Sequence, residues 1–329
     1  MKRVLIVSML IVCPASMDEA IASCGSATCP LETHSYLREG WLQMGFIYEY
    51  VHQDRIYLRS SPSFVGAVPQ VHNEVQTVNQ REILQLQYGM LDILTLAVDL
   101  PLIHREHSHI IRDAGGDALE SWNFSGLGDV VVTGQLALLL PRSTYAPFLS
   151  FVVGAKLPSG MTNAKNAEGE EAEVSIQPGS GSLDGILGIN YRQVLASVPM
   201  ISGEYTELAL TASLTHQMNG KGKKNWRFGN TTIASIGSSY QVNSYASLLF
   251  QVNGKFQGFA DVGSTGDPGE NTGGTWIYAS PGFGLRLTET FAATAFVQIP
   301  LYQNVHGLQQ TSNLNMQIGL SATVDLLGQ

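Results

Sequence analysis

The chain has 329 residues, of which 44% are hydrophobic and only 14% are Asp, Glu, Lys or Arg, with 34 glycines and a net charge of −9. Disorder is excluded, because it needs low hydrophobicity and high charge, and the acidic balance argues against nucleic-acid binding, which wants a basic face. A helical membrane protein would carry stretches of about 18 or more apolar residues; none follows residue 23.

At the N-terminus, Lys2 and Arg3 precede an apolar run from Val4 to Val12, and small residues follow at Ala20, Ala22 and Ser23. That order of basic, apolar and small-residue regions reads as a secretory signal peptide over residues 1–23. Cys24 and Cys29 follow in Cys-Gly-Ser-Ala-Thr-Cys. Two readings stay open for them: a small disulfide loop in an oxidising compartment, or lipidation of Cys24, since Ile21-Ala22-Ser23-Cys24 resembles a lipoprotein box. A metal site would need more ligands than the nearby His34 supplies. Residues 24–39 read as a periplasmic Cys-containing segment ahead of a single barrel domain, residues 40–329.

Beyond residue 40 the helix period is almost absent and period-two alternation takes over. Leu42, Met44, Phe46, Tyr48 and Tyr50 form one apolar face; Leu94, Leu96, Val98, Leu100 and Leu102 form another. Later faces run through Val130 to Leu140, Phe291 to Leu301 and Leu314 to Leu326. Strict alternation of this kind argues strands. Twelve are predicted, near 40–51, 77–90, 94–105, 125–140, 146–158, 181–194, 203–217, 226–241, 245–258, 274–287, 291–303 and 312–326. Their connections alternate between short turns and long polar or Gly-rich loops, which with an even strand count is the outer-membrane barrel pattern. The predicted fold is all-β, a transmembrane antiparallel up-and-down β-barrel with both chain ends on the periplasmic side. Outer-membrane lipid is its expected surroundings. Rings are expected at both strand ends as interfacial girdles. Tyr50, Phe124, Trp226, Phe228, Trp276, Tyr278 and Tyr302 fall at the long-loop ends, and Trp41, Tyr145, Phe148, Tyr240, Tyr245 and Phe291 at the short-turn ends.

Three Gly-rich motifs punctuate the middle of the chain: Gly126-Leu127-Gly128-Asp129, Gly154-Ala155-Lys156-Leu157-Pro158-Ser159-Gly160, and Gly179-Ser180-Gly181-Ser182. On these residues the chain resembles the MetA-pathway-of-phenol-degradation family of bacterial outer-membrane proteins, over about residues 125–190. The family-motif positions are Gly126, Gly128, Asp129, Lys156, Pro158 and Gly160. The resemblance implies an outer-membrane barrel and suggests passage of aromatic or other small compounds.

Alternation points Glu49, Asp99, Asp129, Lys156, Asp184, Arg192, Lys255 and Arg286 into the lumen, where they either pair and plug it or line a wet pore of mixed sign. Thr215-His216-Gln217-Met218-Asn219-Gly220 resembles the active-site segment of outer-membrane phospholipase A, with Asn230 at a plausible spacing to orient His216. Met218 stands where that enzyme has its nucleophile, and a thioether cannot attack an acyl group, so no enzyme is expected. His104, His107, His109 and Glu106 gather at a predicted strand rim, with His104 on the face opposite the other two; they read as solvated loop residues, and no metal or cofactor is expected. The leading expectation is therefore a channel passing small, possibly aromatic solutes. The alternative is a sheath barrel holding another envelope protein.

Overall fold

The structure, a computed structural model, describes residues 36–67, 72–113, 116–201, 203–265 and 269–328. The predicted signal peptide and the Cys24 and Cys29 pair lie outside the described residues.

Among the described residues the strands are β1 (Trp41–Leu58), β2 (Ser61–Pro62), β3 (His72–Leu91), β4 (Leu94–Asp113), β5 (Gly116–Leu127), β6 (Val131–Leu139) and β7 (Phe148–Lys156). They continue with β8 (Asp184–Pro199), β9 (Tyr205–Met218), β10 (Thr231–Gln241), β11 (Ala246–Gln257), β12 (Gly274–Arg286), β13 (Phe291–Val305) and β14 (Leu308–Asp325). Neighbours pair antiparallel in chain order, and β14 closes back on β1 from Trp41↔Asp325 to Leu58↔Leu308. The ring so closed has twelve positions, because β2 only folds back on β1, and β5 pairs with β4 alone. The chain is thus an outer-membrane β-barrel of the bacterial type.

Closure follows from the solvent. Hydrocarbon offers backbone N–H and C=O groups no partner, so a spanning sheet must have no open edge. Side chains then sort by parity. Met44, Phe46, Leu84, Leu86, Leu100 and Ile318 point outward and are exposed, whereas Gln43, Gln85, Gln87, Asn253, Gln298 and Asn315 point inward and are buried. An apolar exterior over a polar interior inverts the usual globular arrangement, and lipid is the solvent that makes it stable.

Several strands outrun their predicted ends. β1 continues to Leu58, β3 begins at His72, and β4 reaches Asp113, where β5 returns antiparallel to it. A spanning strand needs only about 9–11 residues, so strands of 18 to 20 residues carry the wall well beyond the bilayer. Outside lipid neither face must be apolar, so the alternation fades and stretches such as His52–Leu58 look like loop. The expected long loop at Asn304–Thr311 is also strand, broken only by a tight turn in which Gly307 takes φ 63°, a left-handed conformation that glycine adopts without a Cβ penalty.

The mouth at the short-turn end is narrowed by Tyr36 and Leu37. Leu37 is buried and exchanges hydrogen bonds with the inward-facing Thr95, its N–H donating to Oγ1 at 3.2 Å and its carbonyl accepting at 3.3 Å, while the Tyr36 ring packs on Phe148 with centroids 5.1 Å apart.

Leu84 is 55% exposed on the outer face between Phe46 and Leu100. Leu84→Arg is expected to lower stability by about 2–4 kcal/mol, the cost of a cation near the bilayer midplane, read from urea unfolding of vesicle-embedded protein. An unchanged midpoint would show that this face does not meet lipid.

Candidate functional site in the barrel interior

The eight charged residues assigned to the lumen do not form one lining. Glu49, Asp99, Asp129, Lys156, Asp184 and Lys255 are buried, while Arg192 and Arg286 are partly exposed toward the short-turn ends of their strands. Asp129, Lys156 and Asp184 come together in one cluster; Glu49 instead faces Arg81 across the β1–β3 pair, 3.4 Å away. Gln317 also donates to Glu49 (3.0 Å), and Asp99 accepts from Gln85 Nε2 at 2.9 Å. Arg192 reaches Glu207 at 3.7 Å. Glu207 and Thr211 share the inward parity of Ala209 and Gln217 yet are exposed, so water enters the lumen along β9.

The densest of these sites is built from the three Gly-rich motifs. The chain leaves the β4 wall after β5 at Gly128-Asp129-Val130 and rejoins it as β6. Asp129 at that break is fully buried, with Lys156 Nζ 3.0 Å from its Oδ2 and 2.8 Å from Asp184 Oδ2. Asp129 further accepts from the Gly160 N–H (2.9 Å), the Ser180 N–H (2.8 Å) and the Ser180 hydroxyl (2.6 Å). Asp184 accepts from the Gly220 N–H, the Ser182 hydroxyl and Gln217 Nε2 at 2.7–3.0 Å. Buried charges are tolerable only when paired and hydrogen-bonded in this way. Gly160 and Gly179 make the approach possible: a Cβ on either would sit about 2.5–2.6 Å from the other's backbone.

From this knot residues 157–183 fold inward, with residues 174–180 buried while the acidic stretch Glu168–Glu171 is exposed. A single 3-10 turn, Val174–Ile176, turns its two apolar side chains to different partners. Ile176 packs with Trp122 and Phe124 of β5, and Val174 with Trp226 and Phe228 of the loop between β9 and β10. Arg105 Nη1 donates to the Ile176 carbonyl at 2.6 Å, and Gln177 Nε2 donates to the Ala172 carbonyl at 2.7 Å. The exposed acidic stretch is tethered at Glu171, which lies 2.9 Å from Lys223. The Lys223 hydrogen bond and the charges of Lys223 and Lys224 hold the Glu171 carboxyl below its usual range, so this tether persists at neutral pH and is lost only in acid.

This loop corrects the expected outer girdle. Phe124, Trp226, Phe228, Trp276 and Tyr278 are buried inside the mouth instead of standing in the headgroup layer, and Phe148 is likewise turned inward. Trp276 and Tyr278 pack with Val305 and Tyr57. Position along a strand predicted a ring's height; parity decides its side, and Phe124, Phe148, Trp276 and Tyr278 have inward parity, while Trp226 and Phe228 are carried inward by the β9–β10 loop. Tyr145, Tyr245, Phe291 and Tyr302 are exposed as expected.

The interior also holds apolar residues among its polar rows. Ile47 and Ile83 are direct cross-strand partners, and Ile103 lies on the next strand opposite Arg81; all three are inward and essentially fully buried. Ile186, Ile233 and Phe296 are buried apolar residues of the far wall. Their signal was legible as breaks in otherwise polar inward rows.

His216 projects on the outward parity, and its Nδ1 bonds the Thr232 hydroxyl at 2.8 Å. The Asn230 amide does not orient it, since its Oδ1 accepts from the Asn219 N–H at 3.0 Å. The histidines assigned to a loop rim lie within β4 instead: His104 faces out, bonded to Ser125 at 2.7 Å, while His107 and His109 are buried inside.

No family model and no curated protein matches this chain. Among solved structures it is similar to an outer membrane channel from Pseudomonas putida F1, at 17% identity and TM-score 0.61, over 88% of this chain and 97% of the other. That likeness supports a shared barrel fold. Looser likenesses are to a FadL homologue from Pseudomonas aeruginosa (10% identity, TM-score 0.43, 87% of this chain and 90% of the other). The toluene transporter from Pseudomonas putida stands at 9% identity and TM-score 0.42, over 88% of this chain and 90% of the other.

Lys156→Met would leave Asp129 and Asp184 buried without their cation, and is expected to cost about 3–5 kcal/mol. Adding Asp129→Asn and Asp184→Asn should recover much of that loss. Urea unfolding of the two variants tests this; equal stability of Lys156→Met and the parent would mean that the cluster is hydrated.

Proposed function

We infer that the chain is an outer-membrane channel for small, uncharged solutes of low polarity, including aromatic compounds. The observation that carries this reading is that much of the buried interior charge is already engaged, in ion pairs or, for Asp99 and Arg105, in hydrogen bonds to Gln85, Asn79 and the Ile176 carbonyl. Asp129 and Asp184 share Lys156, and Glu49 faces Arg81. The surfaces left beside them are amides, hydroxyls and aliphatic chains such as Gln85, Gln298, Thr133, Ile47 and Ile83. A pore that selects ions would instead present rings of unmatched charge. The resemblance of the Gly-rich motifs to the phenol-degradation family agrees with this solute class, and those motifs are the residues that build the charge knot and seat the inward loop.

Passage requires the 157–183 loop to yield, since Val174 and Ile176 pack inside the barrel between the two aromatic pairs. In planar bilayers the parent protein is expected to show a small conductance, and Val174→Asp with Ile176→Asp, which places carboxylates against those rings, a several-fold larger one. Cells with an intact outer membrane should take up labelled phenolics faster when they carry the protein, with charged amino acids of similar size unaffected. Equal uptake with and without the protein, or faster uptake of the charged solutes, would overturn the solute class.

A further inference from the structure

Above the membrane, three adjacent strands turn imidazoles and carboxylates toward one point. His107-Ser108-His109 on β4 places two histidines two residues apart, so both rings face inward. On one side, the register sets Thr77 of β3 opposite His107 and Glu74 opposite His109. Residues 74 and 77 would ordinarily face opposite ways; a β-bulge between Glu74 and Gln76 shifts the phase and brings Glu74 inside. On the other side, β5 sets Trp122 opposite His107 and Glu120 opposite His109.

The donor atoms converge. His107 Nε2 lies 3.2 Å from Glu74 Oε2 and 3.4 Å from His109 Nδ1, and the three ligand atoms all lie within 4.8 Å of one another. In a tetrahedral site with bonds of about 2.0–2.1 Å, neighbouring donors stand about 3.3–3.4 Å apart. Each ring's second nitrogen also has a polar partner, as metal-bound histidines commonly do. His107 Nδ1 bonds Thr77 Oγ1 at 2.9 Å, and His109 Nε2 lies 3.4 Å from Glu120 Oε2. The Trp122 ring covers both imidazoles, with centroids 5.9 and 4.8 Å away.

We propose that Glu74, His107 and His109 bind a divalent transition-metal cation of the zinc class, with Glu120 and Thr77 orienting the two imidazoles. Two imidazoles and one carboxylate suit zinc, nickel or copper far better than calcium or magnesium, which take all-oxygen sites. Together Glu74 and Glu120 balance the charge of a divalent ion. Bound there, the ion ties β3, β4 and β5 together where β5, among the described residues, pairs with β4 alone. It also stiffens the Trp122 side of the cluster on which Ile176 docks.

The test is zinc titration of the folded, chelator-treated protein in detergent, followed by calorimetry and by the visible spectrum of its cobalt(II) form. One saturable site is expected that disappears in His107→Ala/His109→Ala, weakens at least tenfold in Glu74→Gln, and weakens about 10–100-fold in Glu120→Gln. His104→Ala, on the outer face of the same strand, should bind like the parent and serves as a folded control. Glu74→Gln keeps the test open should the double histidine variant not fold. Absence of saturable binding in the parent, or equal binding by parent and Glu74→Gln, would overturn the proposal and leave the cluster as histidine–carboxylate ion pairs.

Discussion

The rest of this molecule depends on one constraint: a backbone that crosses hydrocarbon must satisfy its own hydrogen bonds. The pairing of β14 with β1 removes the last open edges, and everything else follows from that closure. Once the ring is closed, each strand has one face in lipid and one in the lumen. The scarcity of charge in the composition is the arithmetic of that arrangement, with half of each spanning strand apolar and the other half mostly Gln, Asn, Ser and Thr.

The lumen inherits a second problem, because charge placed there is shielded from bulk water. The chain answers it locally. Where β5 and β6 share one position in the ring, the wall is interrupted at Gly128–Val130, and the freed edge is met by the inward loop. The Met161 N–H donates to the Leu127 carbonyl, and the Leu157 N–H to that of Val130, each at 2.8 Å. Lys156 and its two aspartates fix the base of that loop, and the paired rings at Trp122 and Trp226 hold its Val174–Ile176 turn. The interruption, the charge knot and the constriction are therefore one construction, and the Gly-rich motifs are its sequence trace. Glycine is needed because Gly160 and Gly179 touch backbone to backbone.

Much of this was legible in the residues. Alternation alone located all twelve ring positions, because lipid enforces apolar residues at every second site wherever a strand crosses the bilayer. It failed where that enforcement ends. His52–Leu58 and Glu106–Asp113 are strands whose two faces both meet polar surroundings, so they read as loops, and the histidines of β4 were placed on a rim instead of inside a wall. The aromatic residues misled for a related reason. A ring at a strand end satisfies a girdle or a plug equally well by height, and only side-chain parity and the inward path of residues 157–183 separate Tyr302, which is exposed, from Trp276, which is buried. That path depends on contacts between segments some 50 residues apart, such as Ser180 with Asp129, which no local pattern carries.

The inside-out arrangement is tested most directly by scanning β1 with single nitroxide labels and measuring collisions with oxygen, which partitions into lipid, and with a water-soluble nickel chelate. Labels at Leu42, Met44, Phe46 and Tyr48 are predicted to favour oxygen. Labels at Gln43, Gly45, Ile47 and Glu49 should be protected from oxygen, giving a period of two along the strand. A period near 3.6, no period, or alternation in the opposite phase would contradict the account.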